Sequence, residues 1–278
     1  MAPPLTYIPA NDRGLAYGDG VFETLRLSAS GAPLRALHKE RMRQGAARLS
    51  IPFDGETFDR YLDALIEEKV EGANGASSAA AQQSGVAKII LTRGSGGRGY
   101  AAPAAMSPRW ITQRFPFVSR PARQRDDGLA LGLCREPVAD LPSLAGLKHL
   151  NRLDQVLAQQ QVSAAGWDEG MLLDQRGRPL ELTSMNLFFR FANELFTPDL
   201  RSAGVAGVAR AWCLQHASSH GVTCRQQNVS LSRLREADEV FACNSVAGIL
   251  PVRKLALWQW PVGKLARSLQ REFDALFV

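Results

Sequence analysis

The sequence predicts an α/β (α+β) protein of two domains, and three observations carry that expectation. Runs of period-two apolar alternation, the strand signature, recur between stretches whose apolar residues fall at helical spacing. A polar stretch with Pro and Gly, Val118–Gly128, has the composition of an interdomain linker. At 278 residues with 45% apolar content, the chain can bury one large core or two smaller ones. If the linker divides the chain, residues 1–120 are the candidate smaller N-terminal domain, 121–128 the linker, and 129–278 the candidate larger C-terminal domain.

The N-terminal part begins with a glycine-punctuated turn, Leu15–Gly20, that leads into a strand. Val21, Glu23, Leu25 and Leu27 alternate with Phe22, Thr24 and Arg26, so the latter three share a face suited to lining a pocket or to lying wet at a sheet edge. A helix is expected from about His38, with His38 and Arg41 on one face. A second should follow Asp54-Gly55, with Phe58, Leu62, Leu65, Ile66 and Val70 inward. Glu71–Gly85 is of low complexity and reads as a surface loop without chemistry. Val86–Thr92 reads as a buried strand. The loop after it, Arg93-Gly-Ser-Gly-Gly-Arg-Gly-Tyr100, can either cradle an anion on its N–H groups or serve as a flexible turn.

In the C-terminal part, Leu129–Cys134 reads as a strand, and Leu150, Leu153, Val156 and Leu157 put an apolar stripe on a helix reaching Ala165. Gly170–Asp174, the turn 175–178, and Leu180–Phe191 suggest a hairpin, with a short strand at Leu195–Pro198. Ala203–Arg210 is a glycine turn opening a helix through Trp212, and such a helix start favours phosphate. Val222–Val229 and Ala237–Ala242 are expected strands, and Leu265, Leu269, Phe273 and Leu276 mark a closing amphipathic helix.

Near the middle, Lys148 sits among Leu144, Leu147, Leu150 and Leu153. A lysine against an apolar wall is disfavoured as an ammonium and can act as a nucleophile or proton carrier; the alternative is a lysine whose stem covers a helix. The net charge of +6 favours acidic ligands, while no nucleic-acid module stands behind it. Four scattered cysteines, without C-x-x-C spacing, point away from metal and disulfides and towards a reducing compartment. No apolar run approaches the roughly 20 residues that cross a bilayer, and Met1–Tyr7 carries no targeting pattern, so neither membrane nor export is expected.

Taken in order, Tyr17-Gly-Asp-Gly-Val-Phe-Glu23, His38-x-x-Arg41, Arg93–Tyr100, Gly146-Leu-Lys-His-Leu-Asn-Arg-Leu153, Glu181-x-x-x-x-Asn186-Leu-Phe188 and Cys243-Asn244 resemble the fold-type IV pyridoxal-phosphate enzymes. That group holds branched-chain and D-amino-acid aminotransferases and aminodeoxychorismate lyases. The strings Arg93–Tyr100 and Lys148–Leu153 are more similar to those of the lyases. The resemblance covers nearly the whole chain and implies a small N-terminal α/β domain, a larger barrel-like C-terminal one, and a cytoplasmic homodimer.

It also implies roles. Lys148 would hold pyridoxal 5'-phosphate covalently and later move the substrate's Cα proton. Glu181 would pair with the pyridine nitrogen. Arg41, the backbone of Val208 and Ala209, and the strand end at Asn244 and Ser245 would hold the phosphate; Ala209 has no hydroxyl, so its backbone alone is implied. Arg98, Tyr100, Arg26 and Arg93 would hold substrate carboxylates, with Tyr17 and Phe22 shaping the wall. From the residues alone, Glu181 as an exposed hairpin residue, Arg41 as a solvated helix residue and Asn244 as a strand-end cap remain open. The implied reaction turns 4-amino-4-deoxychorismate into 4-aminobenzoate and pyruvate, a step of folate biosynthesis. The alternatives are a D-amino-acid or branched-chain aminotransferase of the same fold and, more distantly, a basic nucleic-acid-binding protein.

Overall fold

Eight residues of alternating burial, Gly20–Leu27, form the strand on which the first unit is built. In the computed structural model, which describes residues 7–68 and 84–278, the chain divides into two units. One is Met1–Phe117 with Lys148–Asn151, the other Val118–Leu147 with Arg152–Val278. No helix among the described residues is long and apolar enough to cross a membrane.

The first unit runs α1 (Arg13–Tyr17), β1 (Gly20–Leu27), α2 (Arg35–Arg48), α3 (Gly55–Glu67), β2 (Gly85–Thr92) and β3 (Arg109–Pro116). Its sheet is antiparallel in the order β1-β2-β3. Val21, Leu25 and Leu27 of β1 and Ala87, Ile89 and Leu91 of β2 form one core with Met42 and Ala46 of α2 and Phe58, Leu62 and Leu65 of α3. Phe22, Thr24 and Arg26, on the other face, are half-buried, as the alternation implied. The helix expected from His38 starts at Arg35, because no side chain caps its start and the sequence gives no boundary signal there. Asp54, by contrast, caps α3 by accepting from the N–H groups of Glu56 and Thr57. Val70 and the loop read at Glu71–Gly85, up to residue 83, lie outside the described residues.

The second unit runs α4 (Ala122–Asp126), β4 (Leu129–Leu133), α5 (Leu153–Ala165), β5 (Glu169–Leu173), β6 (Pro179–Leu182), β7 (Asn186–Phe191), β8 (Glu194–Thr197), α6 (Val208–His216), β9 (Thr223–Gln226), α7 (Leu231–Leu234), β10 (Glu239–Asn244), β11 (Gly248–Leu255), β12 (Trp258–Gln259) and α8 (Lys264–Ala275). Pairings β4-β5-β6-β7-β10-β11 return to β4, so six strands close into a barrel that has no free edge within the ring. Leu129, Leu131, Met171, Leu182, Leu187, Phe189, Val240, Ala242, Leu250 and Val252 belong to its core.

Several expectations are corrected here. Leu180–Phe191 is two strands, since the chain reverses at Thr183-Ser184, where Leu182 N–H donates to Met185 O (2.8 Å). The expected Val222–Val229 strand is shorter, Thr223–Gln226. The helix through Leu157 begins at Leu153, and its apolar stripe is turned outward: Leu153, Val156 and Leu157 are exposed while Ala158 and Val162 are buried. Strand β11 went unread because it contains Pro251. That residue precedes the pairing with β4, which starts at Val252, and lies close to a register shift that absorbs the lost donor. The stretch 121–128 holds α4, tied to α8 by Arg125 Nη2 donating to Asp274 Oδ2 (2.5 Å).

Candidate active site

Lys148 is placed by its backbone. The segment Lys148–Asn151 lies along β1: Phe22 N–H donates to Lys148 O (2.9 Å), Leu150 N–H donates to Gly20 O (3.0 Å), and Val21 bridges His149. Gly20 allows this approach, since a Cβ there would lie 2.5 Å from Leu91 O and 2.8 Å from Leu150 Cδ1. The Lys148 ammonium stands 4.3 Å from the Phe22 ring centroid, and the Lys88 ammonium 5.6 Å from the same ring. The expected leucine collar is corrected accordingly: Leu147 is buried, but Leu153 is 72% exposed, and an aromatic face meets the tip of the lysine. Lys88, opposite Thr24 on β2, is a cation of this face that sequence reading missed.

In the same unit Arg41 is gripped by Glu23. Arg41 Nε donates to Glu23 Oε1 (2.7 Å), Arg41 Nη2 donates to Glu23 Oε2, and His38 Nδ1 lies 2.5 Å from Oε2. Burial opposes the charge on Glu23, but Arg41 and His38 override it and hold its carboxyl at about 2. Burial pushes the His38 pKa down, against the pull of Glu23, with Arg41 and Lys148 adding to the fall. His38 is therefore neutral at pH 7 and donates from Nδ1, leaving a buried Nε2 without a partner among the described residues. Glu23 stands at an inward position of an otherwise apolar strand face.

In the second unit Glu181, on β6, is 3% exposed. Its Oε2 accepts from Val205 N–H (2.9 Å) and its Oε1 from Gln155 Nε2 (3.3 Å). The loop 204–206 that holds it also pairs with Gly146, two residues before Lys148, through Gly146 N–H to Gly204 O (2.9 Å) and Ala206 N–H to Gly146 O (3.0 Å). Arg152, given no role in the sequence analysis, is a half-buried cation near Glu181; burial lowers its pKa while Glu181 and Asp154 oppose the fall. Asn186, opposite Glu181 in the β6–β7 register, donates to Val205 O (2.8 Å). A Cβ on Gly207 would lie 2.0 Å from Asn186 Oδ1, so glycine is required where α6 begins. No side chain caps that start, and the N–H groups of Val208 and Ala209 are first-turn donors without an intrahelical acceptor. Asn244 Oδ1 accepts from the N–H groups of Val246 (3.0 Å) and Ala247 (2.6 Å), and its Nδ2 donates to Ser184 O (3.1 Å). Its side chain thus closes the turn that contains Ser245.

The residues read as substrate ligands all lie in the first unit. Arg26 stacks on Phe117 (4.2 Å), and Arg98 and Tyr100 are exposed. Tyr17 meets Tyr100 edge-on (5.5 Å). The Arg93 guanidinium donates to Asp19 (2.7 and 3.1 Å) and to the carbonyls of Leu49 (2.6 Å) and Ser50 (3.1 Å). The glycine loop also departs from the anion cradle. Its carbonyls at Gly99 (3.1 Å), Tyr100 (2.8 Å) and Ala101 (3.2 Å) converge on the buried Arg13, so it wraps a cation of its own chain.

Taken unit by unit, the first offers an amine beside a ring and an arginine, and the second a buried carboxylate fixed by an amide and a helix start that no side chain caps; each of these groups is of a kind that fits part of pyridoxal phosphate. Residues 20–255 match the family model described as amino-transferase class IV. An aminodeoxychorismate lyase of Vibrio harveyi is 33% identical over 273 residues, 96% of each chain. A crystal structure of 4-amino-4-deoxychorismate lyase from Pseudomonas aeruginosa is 45% identical, with a TM-score of 0.89 over 98% of this chain and 96% of that one. The Escherichia coli branched-chain amino acid aminotransferase is 26% identical, with a TM-score of 0.82 over 98% and 90%. From its β1 strand to its last barrel strand, the chain belongs to the class IV aminotransferase family.

Proposed function

We propose that the chain is a pyridoxal-phosphate-dependent carbon–oxygen lyase that converts 4-amino-4-deoxychorismate to 4-aminobenzoate and pyruvate. The observation that carries this is its markedly higher identity to a lyase than to a transaminase of the same fold. Bound pyridoxal phosphate supplies an electron-accepting ring conjugated to the substrate's Cα. Lys148 would hold that group through Nζ, and the same amine would serve as the base for the Cα proton. Glu181, fixed by Val205 and Gln155, holds a proton at the pyridine nitrogen. Arg41, the N–H groups of Val208 and Ala209, and the backbone at Asn244 and Ser245 bind the phosphate. Tyr17 and Phe22 form the wall, and Arg26, Arg98 and Tyr100 hold the substrate carboxylates. Loss of the Cα proton with cleavage of the enolpyruvyl ether leaves an aromatic ring, which makes the step strongly downhill.

The same proposal makes the protein a cytoplasmic homodimer serving folate synthesis. Free thiols at all four cysteines and the outward apolar stripe of Leu153, Val156 and Leu157 support the compartment and the dimer. The test supplies purified protein with chorismate, glutamine and an aminodeoxychorismate synthase. Equal yields of 4-aminobenzoate and pyruvate, lost in Lys148→Ala, are expected. Amino transfer to a keto acid without pyruvate release would assign the chain to the transaminases instead, and sedimentation as a monomer would refute the dimer.

A further inference from the structure

Glu23 is the most deeply enclosed charge near Lys148, and none of the roles above uses it. It follows Phe22 on β1, its side chain is 1% exposed, and both its oxygens are occupied. One accepts from Arg41 Nε (2.7 Å); the other accepts from Arg41 Nη2 and His38 Nδ1. His38 and Arg41, three residues apart on α2, present one helix face to this single carboxylate. We propose that Glu23 is a positioning residue: by its side-on grip through Nε and Nη2 it fixes the Arg41 guanidinium in the orientation that receives the cofactor phosphate. The proposal rests on the assignment of Arg41 as a phosphate ligand.

The side-on pair fixes the plane of the guanidinium as well as its distance, which a lone point charge could not do. His38 adds a second anchor from the same helix, so Glu23 joins α2 to β1 at the position from which Arg41 projects. The carboxylate has an opposing effect. It partly neutralises Arg41 and weakens its pull on any anion. Orientation and charge therefore predict opposite signs when the carboxylate is removed, and the sign decides between them.

The experiment measures the affinity of the apo-protein for pyridoxal phosphate and for pyridoxal, which lacks only the phosphate. Both are followed by the absorbance of the bound chromophore in wild type, Glu23→Gln, Glu23→Asp and Arg41→Gln. Removing a group that orients a ligand-binding residue costs about 10–100-fold in affinity at metal sites. We expect Glu23→Gln to lower the affinity for pyridoxal phosphate by about tenfold or more with pyridoxal binding unchanged, and to add nothing in the Arg41→Gln background. Glu23→Asp keeps the buried charge and withdraws it by one methylene. It should show a smaller loss of the same kind, and it carries the test if Glu23→Gln does not fold. If Arg41→Gln abolishes the preference for the phosphorylated ligand but Glu23→Gln preserves or increases it, the positioning role is overturned. If Arg41→Gln leaves the preference intact, the assignment of Arg41 itself fails.

Discussion

Replacing Gly207 by alanine puts a methyl group where the asparagine of β7 already stands. The backbone at Gly207 is extended (φ −68°, ψ 143°) and open to any residue, so the cost is purely steric. The new Cβ would lie 2.0 Å from Asn186 Oδ1 and 3.2 Å from its Cγ, with Arg210 Cβ next at 3.6 Å. Overpacking costs about 1–3 kcal/mol, and displacing the Asn186–Val205 hydrogen bond adds about 1. A loss of about 3 kcal/mol corresponds to a fall in Tm of roughly 6–12 °C in a protein of this size. Asn186→Ala alone should cost about 1–2 kcal/mol, for one hydrogen bond and a small cavity. Because that truncation removes both offending atoms, the double variant should be no worse than Asn186→Ala, a coupling of about 3 kcal/mol. Thermal melts of the four proteins measure it. Additive losses would refute the claim that this pair alone excludes a side chain at the start of α6.

Arg93→Ala removes one of the two guanidinium partners of the half-buried Asp19, which keeps Arg13 (2.9 Å), and should destabilise by about 1.5–3 kcal/mol, the usual worth of hydrogen bonds to a charged group. Its KM should stay near wild type; a selective rise in KM at unchanged Tm would restore Arg93 as a substrate ligand. Acid should weaken the first unit through two depressed pKa values. His38 contributes fully above 6.5 and less as pH falls below it, and Glu23 contributes fully above 4.5 and loses its share as pH falls towards about 2. Urea midpoints should fall steadily from pH 7 to pH 3, and a constant midpoint over that range would contradict the geometry. Gln155→Leu removes the amide that donates to Glu181 Oε1 and should lower turnover about tenfold or more, judged by the usual cost of losing a group that orients a functional side chain. Unchanged turnover would show that Val205 suffices.

Local pattern was enough to place most of the framework. The inward positions of β1, the Asp54 cap of α3 and the apolar side of α8 are each fixed by residues near in sequence. What escaped depends on distant partners. The closure of the barrel rests on the pairing of β10 with β7, about fifty residues apart, and β11 hides its strand character behind Pro251. The outward stripe of α5 has a helical period whichever way it faces, so periodicity could not say which side is buried. At the candidate site, Lys148, Glu181 and Arg41 stood out through family resemblance. Glu23 did not, because its significance lies in Arg41 and His38 meeting it across the fold. Arg93 and Arg98 look equivalent in the string, yet only the first has Asp19 to hold it.

The four residues Lys148–Asn151 belong to the first unit although the chain on either side of them belongs to the second. They serve β1 as a short extra strand, covering the edge that β2 leaves open. The two units are therefore not separable polypeptides. A fragment ending at Phe117 would expose Phe22 N–H and Gly20 O along a bare strand edge, a template for self-association. A fragment beginning at Val118 would contain the lysine but not the strand that aligns it. Complementation of the two fragments, rather than the folding of either, is what should restore the lysine to its register.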